Sequence, residues 1–273
     1  MNKFILLGIL TYAAVLPFSC SQNAVSDAGR LPVTMDDSSR IIIDRAIAYA
    51  GGYAAWQQQK TLSFDKKSRS YDSTGRLIRE TNTHLDYMLK PEYRAKLSYQ
   101  QNDTTVTLLH DGKKARKLYN GQVSEQQKDI DAAWNSGYGS QFVMCMPYKL
   151  KDPGIQATYI GQVTLKDGAA AQVVKTTYIK GAGSNPDHIW YYYFEPGTGK
   201  LLANSLNGKN NYWDYTRYEG FEKAGGLLLP SIRRGFHANA LNQPTTLISE
   251  SEHTNIVFNK QFEAEHFQIK DEQ

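Results

Sequence analysis

Cysteine is nearly missing from this chain: Cys20 and Cys145 are the two in 273 residues. Cys20 reads as an attachment point, for reasons given below, so no pair remains for a disulfide and there are too few thiols for a cysteine metal site. Cys145 lies among Phe142, Val143, Met144 and Met146, where no histidine or basic residue adjoins it to lower its pKa, and it reads as a buried, inert thiol. Charge of one sign is also scarce. The net charge is +4, and the one basic cluster, Lys113-Lys114-Ala115-Arg116-Lys117, follows a turn and reads as a solvated hairpin, with contact to an anionic membrane as the alternative. Nothing else supports nucleic-acid binding. The six histidines, His84, His110, His188, His237, His253 and His266, are isolated from one another, with no His-Glu-x-x-His spacing or other metal-binding cluster. There is no Gly-x-Ser-x-Gly elbow and no glycine loop that would cradle phosphate, so no cofactor is implied. Ser63-Phe64-Asp65-Lys66 matches Ser-x-x-Lys, but it falls in a strand pattern rather than at a helix start. Asp129-Ile130-Asp131 reads as acidity at a helix start, complementing the dipole. The expectation is a protein that is not an enzyme.

What is present begins with an export signal. Lys3 supplies the positive start, Phe4 to Val15 is apolar but for Gly8, Thr11 and Tyr12, and the run is too short for a spanning helix. It ends Leu16-Pro17-Phe18-Ser19-Cys20, a small residue directly before a cysteine, which resembles the bacterial lipobox. The resemblance implies cleavage after residue 19 and a diacylglyceryl group on Cys20. Its chains would hold the protein to a membrane, since each buried methylene contributes about 0.8 kcal/mol and two chains suffice for stable anchoring. An ordinary signal peptide is the alternative. Ser21 after the cysteine is the residue type that the usual sorting rule sends to the outer membrane. Residues 20–37 read as a flexible tether, and 38–273 as one domain.

Asp36, Asp37 and Ser38 offer N-caps to a helix with apolar positions Ile41, Ile42, Ile43, Ala46, Ile47 and Ala50, closed by Gly51-Gly52. From Thr61 the period changes to two. Tyr93, Ala95, Leu97 and Tyr99 alternate with Arg94, Lys96, Ser98 and Gln100, and Asp111-Gly112 and Asn120-Gly121 are hairpin turns. Ser124-Glu125-Gln126-Gln127 fits a capping box for a helical insert, which Gly137 and Gly139 are expected to split. A second meander starts at Ile155 and continues past a mobile loop at Gly181 to Asp187. A short turn carrying Phe262 and Phe267 ends it. The fold class is mainly β (α+β): a curved antiparallel sheet or half-barrel, with an N-terminal helix and the mid-chain insert covering its concave face.

Aromatics are plentiful, tyrosine above all with 18. The run Ile189-Trp190-Tyr191-Tyr192-Tyr193-Phe194 carries bulk on both sides, so both faces of that strand must be covered, and Trp190, Tyr192 and Phe194 are expected on the side toward the helices or their cavity. Tyr87, Tyr99, Tyr159, Tyr178, Trp190, Tyr192, Phe194, Tyr212 and Trp213 are the candidates to line an apolar pocket, each of them equally a core residue when taken singly. The leading expectation is a lipid or acyl chain bound there, in a carrier or accessory role. A glycan- or polymer-binding module and a hydrolase with dispersed residues are the alternatives.

Four stretches resemble an uncharacterised family of bacterial exported lipoproteins: Ile43 to Tyr49, Met146-Pro147-Tyr148-Lys149-Leu150-Lys151-Asp152-Pro153-Gly154, Trp190 to Leu201 and Gly226 to Arg233. The resemblance covers about residues 40–270 and its motifs look structural. More distantly, Pro196-Gly197-Thr198-Gly199-Lys200-Leu201 between two strands is similar to the lipoprotein carriers LolA and LolB. That likeness implies an antiparallel half-barrel closed by helices over a lipid-accepting cavity, in a protein of the bacterial envelope.

Overall fold

Asp36 opens the first helix, α1 (Asp37–Tyr49). Its carboxylate accepts a hydrogen bond from the Ser39 N–H at 2.7 Å, satisfying one free donor of the helix start. Ile42, Ile43, Ala46 and Ile47 recur at three- and four-residue spacing and are buried, whereas Ile41 points outward at 58% exposure. Gly51 and Gly52 take positive φ at the far end, and the Gly52 N–H reaches back to the Ile47 carbonyl. A Cβ on Gly51 would stand 2.5 Å from the Gly226 carbonyl oxygen, so the helix terminus sits directly on the sheet. The Tyr148 hydroxyl donates to the Ala50 carbonyl there, and its ring stacks on Trp56 of the short helix α2 (Tyr53–Gln57).

The computed structural model describes residues 31–179, 188–208 and 213–269. The export signal, Cys20, the tether up to residue 30, the loop at Gly181 to Asp187 and Tyr212 lie outside the described residues. A two-residue strand, β1 (Thr34–Met35), precedes α1. The first meander comprises β2 (Thr61–Tyr71), β3 (Leu77–Met88), β4 (Arg94–Gln101), β5 (Thr104–His110), β6 (Ala115–Tyr119) and β7 (Gln122–Ser124). Helix α3 (Gln127–Met144) follows, then a tight turn at Tyr148–Lys151. The second meander comprises β8 (Ile155–Thr164), β9 (Ala170–Tyr178), β10 (Ile189–Phe194), β11 (Leu201–Asn207), β12 (Trp213–Ala224), β13 (Leu227–Ala238) and β14 (Pro244–Phe258).

All these strands form one curved sheet in the order β1-β8-β9-β10-β11-β12-β13-β14-β2-β3-β4-β5-β6-β7. Neighbours are antiparallel except β1, which runs parallel to β8. The two meanders meet at β14 and β2, paired from Ser249↔Ser70 to Phe258↔Leu62. α1 lies over β8 and β9, and α3 over β4, β5 and β6. The core fills the space between sheet and helices, with Ile43, Leu62, Phe64, Leu85, Tyr87, Met144, Tyr148, Tyr192 and Phe194 in one cluster.

Two local expectations are corrected. The insert is one helix of 18 residues running straight through Gly137 and Gly139. Each glycine costs a helix about 1 kcal/mol relative to alanine, but Gly137 faces the sheet, where a Cβ would lie 3.5 Å from that of Ala95, so the close approach of helix and sheet offsets the cost. The capping box does not form. Gln126 is the N-cap without a side-chain cap, and the Ser124 hydroxyl donates to the Asp129 carboxylate at 2.6 Å, which also meets the Lys117 ammonium at 3.2 Å.

Candidate functional site

Alternation along β12, β13, β14, β2 and β3 sends every second side chain to the helix side of the sheet. In these central strands that inner face changes character along its length. One end is covered core: Leu62 and Phe64 on β2, Leu227 and Leu229 on β13, Ile256 on β14. The other end is floored by small side chains. Gly235 pairs with Ser249 and Ser249 with Ser70; Ser251 pairs with Ser68 and Ser68 with Thr81. All six are half-exposed, so this end is a trough open to solvent, between the flank under α1 and the flank under α3.

Three basic side chains stand where the core gives way to the trough. Arg233 pairs with Ser251 across β13 and β14, and His253, two residues further on, pairs with Lys66 across β14 and β2. The His253 ring packs edge-on to Phe64 at 5.4 Å, and its Nδ1 lies 3.1 Å from the Pro230 carbonyl oxygen. Arg233 is 9% exposed, and its Nε has no hydrogen-bond partner. Lys66 is surrounded by protein atoms yet keeps partial exposure, as a group at the bottom of a concavity does. Burial, with the Arg233 charge added, pushes the Lys66 ammonium down to about 8. Burial, with Arg233 and Lys66 beside it, holds His253 well below the usual histidine range, so its ring is neutral at pH 7. Burial also lowers Arg233, partly offset by the Tyr218 hydroxyl beside it, which itself donates to Asn204 at 2.8 Å. The guanidinium stays charged.

The aromatic residues singled out from the sequence fall into three groups. Tyr87, Tyr192 and Phe194 are fully buried between sheet and helices. Tyr99, Tyr159, Tyr178 and Trp190 are half-buried against that core, with Trp190 meeting Phe142 of α3 at 5.9 Å between ring centres; Trp213 is half-buried at the start of β12. Tyr212 and Cys20 lie outside the described residues. The bulk on both sides of β10 is accounted for. Trp190, Tyr192 and Phe194 face the helices, while Tyr193 packs on the outer face with Ala171, Val173, Ala203 and Tyr215. The basic cluster was missed because its members lie far apart in the chain. The available signal was one of parity: Lys66 falls in step with Leu62 and Phe64, and Arg233 with Leu227 and Leu229.

The outer face differs in kind. Several of its cations are strung between carboxylates: Arg234 with Glu219 (2.9 Å) and Glu250 (2.8 Å), Arg69 with Glu80 (2.9 Å), Lys67 with Glu80 (3.1 Å) and Arg217 with Asp167. A groove of about 510 Å³ runs past Asp65, His84, Gln100 and Glu252, and a cavity of about 450 Å³ lies between Tyr191, Tyr193, Tyr215 and the loop at Asn239 to Gln243. Tyr193 and Tyr215 are sunk to 5% and 3% exposure, so they present no open row of ring faces on which sugars would stack. Ser63 and Lys66 point to opposite faces, and the Ser63 hydroxyl donates straight to the Asp86 carboxylate at 2.7 Å, with no histidine between them to act as a base. Burial pushes the Cys145 thiol up to about 12, far from a thiolate at neutral pH.

Among curated proteins, no relative matches. Three solved structures share the fold at low identity. A DUF1329 family protein from Desulfovibrio piger superposes with a TM-score of 0.55 at 12% identity, covering 85% of this chain and 98% of that one. A LolA superfamily protein from Nitrosomonas europaea gives 0.53 at 9%, covering 85% and 97%. A putative outer membrane lipoprotein-sorting protein domain from Vibrio parahaemolyticus gives 0.53 at 7%, covering 85% and 96%. The curved sheet with helices on one face is therefore a LolA-like fold, as the hairpin at Pro196 to Leu201 led us to expect. Residues 33–211 match the family of unknown function DUF6503, and the chain belongs to that family.

Proposed function

We propose that the protein is an envelope lipoprotein that binds the acyl part of an amphipathic lipid on the inner face of its sheet. The observation that carries this reading is the trough, a half-exposed floor of Ser68, Ser70, Thr81, Gly235, Ser249 and Ser251 running into buried Phe64 and Leu85. Small side chains leave room above the sheet for a ligand, beside the apolar residues where the core begins. Tyr99, Trp190 and Tyr178 belong to the aromatic walls on this reading; Tyr87, Tyr192 and Phe194 back them from the core. The LolA-like fold supports a carrier or accessory role, because one protein of that fold is described as a putative outer membrane lipoprotein-sorting protein domain.

The N-terminal sequence supplies the second half of the proposal: a diacylglyceryl group on Cys20, a tether, and residence at the outer membrane. Native mass spectrometry after gentle detergent extraction is expected to show co-purified lipid. Protein that carries none and ignores fluorescent fatty-acid probes would contradict acyl binding. Cys20→Ser is expected to shift the protein from the membrane to the soluble fraction, and continued sedimentation with membranes would contradict the anchor.

A further inference from the structure

Lys66 and Arg233 have no carboxylate partner among the described residues, whereas Lys67, Arg69, Arg217 and Arg234 on the outer face each meet one. The inner-face carboxylate of Asp214 lies instead at 3.9 Å from His237, four residues from Arg233 along β13. Bringing two cations together in a poorly solvated site costs free energy unless an anion joins them, and a guanidinium buried with a free N–H is the more expensive of the two to leave unmatched. His253 between them adds no positive charge at neutral pH. The cluster sits where the polar floor of the trough meets the apolar core, which is the position of the head–chain junction of an amphiphile lying on this face.

We infer that Lys66 and Arg233 form the recognition site for the anionic head of the bound lipid, a carboxylate or phosphate on an acyl chain, with His253 packed beside it. This rests on the acyl-binding reading above and narrows it from amphipathic lipids in general to anionic ones. The guanidinium provides the flat donor pair suited to either oxyanion, and the ammonium a second charge that a neutral lipid cannot use.

The test is displacement of an uncharged fluorescent acyl probe from the detergent-extracted full chain at pH 7. Competitors are oleate, oleyl phosphate, oleyl alcohol and inorganic phosphate. Oleate or oleyl phosphate is expected to displace the probe at a concentration at least tenfold below that of oleyl alcohol, and the stronger of the two identifies the head group. Lys66→Met and Arg233→Met should each remove most of that ratio while leaving oleyl alcohol unchanged, and Lys66→Arg should keep it. Equal potency of oleate, oleyl phosphate and oleyl alcohol in the unmodified protein overturns the inference and leaves acyl binding intact. A probe that does not bind at all overturns both. Thermal stabilisation by inorganic phosphate with no response to either acyl anion overturns the inference in favour of a free anion.

Discussion

At the residue scale, burial holds Lys66 and His253 where their charged forms weaken the folded state. The folded Lys66 ammonium gives up its proton near pH 8 against an ordinary value of 10.5, and folded His253 well below 6.5. In both windows, about pH 8 to 10.5 and below about 6.5, the unfolded chain binds more protons than the folded one. Stability of the ligand-free protein therefore rises with pH through each window and falls as pH drops through it. Denaturant unfolding should give a larger free energy at pH 9.5 than at pH 7.5. Lys66→Met should flatten that difference and raise the pH 7.5 midpoint, because a desolvated charge is removed. A midpoint that falls would show that Lys66 stabilises the fold and is not held for a ligand. Charge parity in the sequence hinted at this site, since Lys66 and Arg233 each continue an apolar alternation. The absence of partners depended on strands brought together from opposite ends of the chain.

At the element scale, turns and helix ends do more than connect. The β10–β11 turn meets α1 so closely that a Cβ on Gly199, which has φ +79°, would lie 2.8 Å from the Ala46 backbone nitrogen. Gly199→Ala therefore meets both an unfavourable backbone conformation and helix backbone that cannot give way. It should cost about 2 kcal/mol or more in denaturant unfolding, and a neutral result would mean that the hairpin does not dock on α1. Gly139 on α3 is the opposite case: exposed, with ordinary helical φ, and nothing within 4 Å of a Cβ. Gly139→Ala should stabilise by about 0.5–1 kcal/mol and raise the thermal midpoint by a few degrees; a drop would mean that helix α3 needs flexibility there. Gly137 and Gly139 look alike in sequence, and a break is expected at both. Propensity summed over the insert lost to packing of its Gly137 face against β4.

At the whole-molecule scale, one sheet is made from two meanders by a seam between β14 and β2, near opposite ends of the domain. Every other antiparallel pair joins strands consecutive in the chain, and four of their turns, Asp111-Gly112, Asn120-Gly121, Asp167-Gly168 and Pro196-Gly197, are legible as Asp-Gly, Asn-Gly or Pro-Gly signals. The seam has no turn and therefore no local mark. It matters most to the proposed site, because it places His253 opposite Lys66 and lays the Ser249 and Ser251 side of the trough against the Ser68 and Ser70 side. Without it, two curled sheets would each present an open edge, and the basic pair would be separated.

The amino-acid sequence alone determined the strand periods, the hairpin turns, the Asp36 cap and the glycine close of α1, and from these a mainly β, curved, helix-covered sheet. Each depends on residues within a few positions of one another, so the pattern is carried along the chain. Only the tertiary structure decided which face of β10 meets the helices, which cations find carboxylates, and where the inner face is left open. A period of two separates the faces of a strand but does not say which is inward, and charge pairing in a sheet is made between strands that the chain holds far apart.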